Sequence, residues 1–491
     1  MSQGNLEFME SQTMGSLRAS GIASVLGIVI LSIMASLLGQ ETDSSRRGQT
    51  LPPALTEPST PARTNLPKTS GNLRTFQGTG SCSAIACHGG VGRQNCGDQP
   101  SSEIWRSEYT VWMTDDPHSR SFSILYDDLA TKIATNLAQG GPVVPAYQDL
   151  RCLSCHTLPR SEPEFEVTSQ LNPDGVGCES CHGPASDWIS QHTTSNWRTL
   201  DSRTKQRDYQ FWDTKNLLQR TQICSGCHVG NRNDSNLADR DMNHDMIAAG
   251  HPRLAFEMAS YSDLHANHWC EKPARWSENI RTPAPSASER SAWLWATGRL
   301  ATASAALELS AARAESQAAP WPEFSETNCY SCHQELTPEL AALKKPGQRL
   351  GRPAWGTWYF SGIEPLVRPN PMEQGGLVEL FGNYGKLMQS PVANRPKMAL
   401  ESRQIGQKLR DLADQRNQTG LSPNEIKQIL DQQIHNSTDP APKAWDEEAQ
   451  RYLTLSSLAR SHGKQWMSPQ VLRELDMLKI RLQATTATKV R

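Results

Sequence analysis

The apolar positions change period several times along the chain. Residues 22 to 38 form an uncharged apolar run, long enough for a transmembrane helix or a generous signal segment. After it, Pro52, Pro53, Pro58, Pro61 and Pro67 stand among serines and threonines with little apolar content, which reads as an extended, solvated tether. Phe122, Leu125, Leu129, Ile133 and Leu137 predict an amphipathic helix closed by Gly140-Gly141, with His118 in its first turn behind Asp116-Pro117. In the alanine-rich stretch from Ser286 to Ala319, Trp293, Leu300 and Leu307 repeat at seven and mark a packed face. Further on, Ser422-Pro-Asn-Glu425 combines a capping box with Pro at N1, and Leu421 with Ile426 fits a hydrophobic staple. The stripes Ile426, Ile429, Leu430, Ile434, then Trp445, Ala449, Tyr452, then Val471, Leu475, Leu478, Leu482 predict three more helices. The expected fold is mainly α.

Composition sharpens this. The 491 residues suggest about three domains. With 49 basic and 51 acidic residues the net charge is -2, which rules out a generic nucleic-acid binder. Only 37% of the residues are hydrophobic and the mean hydropathy is -0.58, so something besides aliphatic side chains must fill part of the interior.

The cysteines say what. Ten of the twelve fall in pairs closed by a histidine: Cys152-Leu-Ser-Cys155-His156, Cys178-Glu-Ser-Cys181-His182, Cys224-Ser-Gly-Cys227-His228, Cys329-Tyr-Ser-Cys332-His333, and the wider Cys82-Ser-Ala-Ile-Ala-Cys87-His88. One CxxCH string is expected by chance on the order of 0.01 times in such a chain. Each string reads as a c-type haem attachment site. Two thiols on one short turn reach the two vinyl groups of a porphyrin, and the next imidazole lies beneath the iron. Five covalent haems c are therefore expected, with His88, His156, His182, His228 and His333 as proximal ligands. The alternative is zinc, whose knuckles also use CxxC, but zinc does not require a histidine after every second cysteine. Cys96 and Cys270 remain over, and in an oxidising compartment two spare thiols commonly pair.

Eight of the thirteen histidines lie outside the motifs. His435 and His462 fall in a cysteine-free region and read as surface residues. His118, His192, His244, His251, His265 and His268 lie among the motifs, six candidates for five irons. A helix over Asp241 to Pro252 would put His244 and His251 on one face, about 10 Å apart, to serve different irons. His265 and His268 read equally well as core or surface histidines.

The run Gly175-Val-Gly-Cys178-Glu-Ser-Cys181-His182-Gly-Pro-Ala, with His192 beyond it, resembles the cytochrome c-554 type of multihaem cytochrome. So do Trp112 through His118, the Asp241 to Pro252 stretch, and Trp321-Pro-Glu-Phe before Cys329. The resemblance covers residues 80 to 335. It implies a multihaem cytochrome c fold with short helices around stacked haems, electron transfer, and His118, His192, His244 and His251 as distal ligands; His268 completes the set of five. The wide first motif and the long C-terminal extension depart from the pattern.

The expected organisation is an N-terminal tail (1–20), a transmembrane anchor or signal segment (21–39), a Pro/Ser/Thr-rich linker (40–76), a pentahaem domain (77–336) and a helical C-terminal region (337–491). Arg18 before the apolar run and Arg46-Arg47 after it give no orientation. No small-x-small cleavage site follows the run, which favours an uncleaved anchor; cleavage would release the protein to the periplasm. Haem c is attached outside the cytoplasmic membrane, so the periplasmic side is expected. The favoured function is a membrane-tethered electron carrier working between redox partner proteins, with mostly bis-histidine haems and no catalytic residue. The alternative is a nitrogen-compound oxidoreductase, of the hydroxylamine-oxidising or nitrite-reducing type, with one open iron; the irregular first motif is its best place. A third reading makes the C-terminal helices a docking module.

Overall fold

The computed structural model describes residues 74–91, 106–158, 165–166, 169–232, 239–266, 268, 289–317, 320–329, 332, 354–367, 375–390, 392, 394–435, 445–461 and 466–487. The apolar run at 22–38, the linker up to residue 73, Cys96, Cys270, His333 and His462 lie outside these. Among the described residues no helix is long and apolar enough to cross a membrane.

The chain is mainly helical. Short helices come first: α1 (Glu108–Asp115), α2 (Asp128–Leu137), α3 (Leu150–His156), α4 (Cys178–His182), α5 (Ser195–Thr199), α6 (Ser202–Tyr209), α7 (Leu217–His228), α8 (His244–Ala248) and α9 (Met258–Leu264). Longer ones follow: α10 (Arg290–Glu315), then the single turn α11 (Glu364–Val367), α12 (Gly375–Met388), α13 (Arg395–Thr419), α14 (Pro423–His435), α15 (Trp445–Ala459) and α16 (Pro469–Ala487). Two short strands, β1 (Arg74–Thr75) and β2 (Phe165–Glu166), pair in parallel, Arg74 opposite Phe165.

Helix α10 is the axis of the molecule. Trp293, Leu300 and Leu307 are buried as their spacing predicts, and so are 20 of its 26 residues, so the helix is enclosed on all sides. Small residues allow this. Ser402 Oγ donates to Leu307 O at 2.7 Å and Ser304 Oγ to Gly406 O at 2.7 Å, stitching α10 to α13. A Cβ on Gly298 would lie 2.6 Å from Met258 Cβ, so only glycine admits α9 at this crossing. Full burial of one of these large side chains stabilises by roughly 1.5–3 kcal/mol.

The three C-terminal stripes form α14, α15 and α16. Ser422 Oγ accepts from Glu425 N at 3.3 Å while Glu425 Oε2 accepts from Ser422 N at 2.8 Å, and Leu421 and Ile426 are both buried: capping box and staple are in place. These helices share one apolar core with Leu217, Phe256, Met258 and α10. That core therefore crosses the expected boundary at 336/337. By contrast the described residues of the motif-bearing region form two small apolar clusters, one around Leu125, Ala134 and Leu153, the other around Ala185, Trp188 and Trp197.

Two predicted helices differ in detail. Between His118 and Leu137 the chain makes two 3-10 turns, Pro117–Arg120 and Ser123–Tyr126, before α2 begins. Asp127 breaks the run, because its Oδ1 accepts from Ala130 N at 2.7 Å and starts a new helix. Helix α8 stops at Ala248, and Gly250 at φ 115° turns the chain, so His251 stands beyond the helix that begins at His244.

Candidate haem sites

Helices α3, α4 and α7 each end on the histidine of their motif, so both thiols and the imidazole of each string share a final turn. Local chemistry fixes these ends. Asp149 Oδ1 accepts from Arg151 N at 2.9 Å and Asn216 Oδ1 from Gln219 N at 3.0 Å, capping α3 and α7. Glu179, inside the third motif, is 1% exposed and accepts from Ala185 N at 2.6 Å, Gly78 N at 2.8 Å and Gln77 N at 3.0 Å. It thereby ties the third motif to the strand leading into the first. Gly183 follows His182 at φ 81°, where a Cβ would meet Gln210 O at 2.1 Å.

The motifs lie against one another. The thiols of Cys82 and Cys178 are within hydrogen-bonding reach, as are those of Cys155 and Cys227. Burial pushes the Cys152 and Cys224 thiols up to about 11 and that of Cys181 to about 12. Cys329 is half-buried and Cys332 exposed. Among the described residues, no cysteine joins a group of three or more ligating side chains within reach of one another.

Three histidines that lie outside the motifs each face a motif histidine. Ring centroids are 6.2 Å apart for His88 and His192, 6.4 Å for His156 and His251, and 6.0 Å for His118 and His228. His182 adds to the burial that discourages protonation of His268. His244 packs on Phe324, ring centroids 5.7 Å apart, and its backbone N donates to Glu323 Oε1 at 2.8 Å, which brings it to the segment that runs into Cys329. His265 lies beside His118 at 5.7 Å.

The ring nitrogens are oriented. His88 Nδ1 lies 3.0 Å from Glu108 Oε2, His118 Nδ1 2.8 Å from Asp116 Oδ1, His156 Nδ1 2.7 Å from Ser121 O, His192 Nδ1 3.3 Å from Trp188 O, and His251 Nδ1 2.9 Å from Pro252 O. All five partners are acceptors, so Nδ1 carries the hydrogen and Nε2 keeps its lone pair. Burial pulls His182 and His228 down to about 4 and His268 to about 3, which keeps these imidazoles neutral, as a metal ligand must be. His88 is raised, chiefly by its bond to Glu108. Burial opposes ionisation of Asp116, yet the bonds from His118 hold its carboxyl below the ordinary range.

One further device assembles the last site. Arg313, 7% exposed, reaches Asp241 Oδ1 at 2.5 Å through Nη2 and Glu326 Oε1 at 2.7 Å through Nη1. Asp241 precedes His244 by three residues, and Glu326 precedes Cys329 by three. One guanidinium thus clamps two segments, one carrying His244 and the other entering the fifth motif. Sequence reading passed over Arg313, although a charge inside an alanine-rich helix is itself a signal that a partner waits.

Residues 84–183 match the family model described as cytochrome c554 and c-prime, a span that takes in the second and third motifs whole and the end of the first. Over these residues the chain is similar to the cytochrome c-554 type. That similarity supports covalently bound haem c and haem-based electron transfer at this coarse level. No curated protein and no solved structure matches the chain.

The residues of this chain fit the group. His88 with His192, His156 with His251 and His228 with His118 lie with ring centroids 6.0 to 6.4 Å apart, and each pair could hold one haem iron. Among the described residues, His182 Nδ1 is a buried polar atom without a hydrogen-bond partner.

Proposed function

We propose that this chain is a pentahaem electron carrier, held at the periplasmic side of the cytoplasmic membrane by residues 21–39 and exchanging electrons with redox partner proteins. Haem c, when bound, supplies a one-electron ferric/ferrous couple. The chain's own residues do the rest. Cys82 and Cys87, Cys152 and Cys155, Cys178 and Cys181, Cys224 and Cys227, and Cys329 and Cys332 anchor the five groups. His88 with His192, His156 with His251, His182 with His268, His228 with His118, and His333 with His244 ligate them.

The observation that carries this reading is the pairing of imidazoles about 6 Å apart with every bonded Nδ1 turned to an acceptor. Such second-shell bonds fix the ring and raise its basicity toward the metal. With an imidazole pair to hold each haem, its iron would keep no open position for a small substrate. Some of the imidazoles also lie close to one another: ring centroids are 6.0 Å apart for His265 and His268, 5.7 Å for His118 and His265, and 6.0 Å for His118 and His228. Closely packed sites of this kind suit electrons passed along a row. The first motif, which the oxidoreductase alternative needs as its open iron, has His192 opposite His88.

Intact-protein mass after acid-acetone extraction tests the cofactor count. Five haem increments are expected. Four would remove Cys82 and Cys87 from the set, and none would restore zinc.

A further inference from the structure

Six histidines outside the motifs stand available for five irons, and the sixth, His265, is engaged elsewhere. Asp116 is 2% exposed and sits between two imidazoles, one on each carboxylate oxygen. Its Oδ1 accepts from His118 Nδ1 at 2.8 Å and from His118 N at 3.0 Å, and its Oδ2 lies 3.2 Å from His265 Nε2. An ionised carboxylate can only accept, so His265 must present Nε2–H to it, and that nitrogen is withdrawn from ligation.

We infer that Asp116 and His265 are positioning residues behind His118, which together set the reduction potential of the haem held by His118 and His228. The inference rests on the ligand reading proposed above. Its physical content is a pair of opposed effects. A carboxylate accepting from Nδ1–H pushes electron density onto the His118 ring, which favours the ferric charge and lowers the potential. His265 donates to the other oxygen of the same carboxylate, draws density away from it, and moderates the push. Both act in a buried, low-dielectric setting, where a hydrogen bond has more electrostatic effect than in water. The helical context supports the assignment: Asp116 also caps the 3-10 turn Pro117–Arg120 through His118 N, so backbone and ring of His118 are fixed by one group.

Four variants of the full-length holoprotein test this, read by potentiometric titration followed by electron paramagnetic resonance. His118→Ala identifies the haem concerned: its low-spin signal is expected to disappear and one high-spin iron to replace it. In Asp116→Asn the same low-spin signal should persist and its midpoint should rise. In His265→Ala the signal should persist and its midpoint should fall, with the other four haems unmoved. His265→Gln keeps an N–H donor for Asp116 and should return the midpoint toward that of the unmodified protein; this pair decides the question even where Asp116→Asn does not fold. If His118→Ala opens an iron but the Asp116 and His265 variants shift nothing, or shift it in the same direction, the inference is overturned while the ligand reading survives. If His118→Ala leaves every iron low-spin, the ligand reading itself fails. The ligating atoms of Asp116, His118 and His265 also lie within 4.8 Å of one another, near enough to hold a divalent ion. Added Zn(II) is therefore expected to leave the low-spin spectrum of the unmodified holoprotein unchanged; capture of His118 by zinc, seen as a new high-spin iron, would overturn the assignment.

Discussion

Arg313→Met should destabilise the holoprotein by about 3–5 kcal/mol, because removing one partner of a buried ion pair leaves the other charge uncompensated. Here Glu326 is stranded, while Asp241 keeps Arg232, whose Nη1 lies 3.6 Å from its Oδ2. Asp241 and Glu326 each have side chains about 10% exposed and meet the same guanidinium. The loss is also expected to have an address: the clamp joins the His244 segment to the approach to Cys329, so the fifth haem should lose low-spin character at lower denaturant than the others. Urea titration followed by far-ultraviolet circular dichroism and by haem absorbance reads both effects. Arg313→Lys keeps the charge but not the fork, and should fall between. A shift below about 1 kcal/mol in Arg313→Met would place this ion pair among the weak ones and remove the clamp from the account.

The second large effect concerns the wide first motif. His192→Ala removes the imidazole 6.2 Å from His88 and should convert one iron in five from low to high spin, while the mass keeps all five haems, because the thioethers and His88 still hold the porphyrin. That iron should then bind carbon monoxide when reduced. His435→Ala, at the exposed end of α14, should change neither spin state nor ligand binding. An unaltered spectrum for His192→Ala would mean that His88 has another partner or none.

The motif strings could be read directly because covalent attachment to two vinyl groups demands fixed local spacing, and local spacing is what a sequence displays. The C-terminal helices were legible for a similar reason: Ser422, Glu425 and the stripe from Ile426 are short-range signals. Distal partners are another matter. His265 and His268 are three residues apart and look alike along the chain, yet one lies on Asp116 and the other near His182, a distinction made by packing. The helix expected over 118–137 is interrupted because Asp127 competes for the backbone, which apolar periodicity ignores. Helix α10 shows the converse: its seven-residue repeat marks one face, whereas alanine, serine and glycine let every face be covered. For the same reason the absence of cysteines after 336 marked a change of chemistry but not the edge of the apolar core, which runs from Leu217 to Leu482.

The most direct test of the central claim is a spin-quantified electron paramagnetic resonance spectrum of the oxidised, unmodified holoprotein. Five imidazole pairs predict low-spin ferric signals that integrate to five irons, with no high-spin component and no change on adding nitrite or hydroxylamine. A high-spin signal amounting to one iron, altered by either compound, would contradict the closed carrier and point to a catalytic haem.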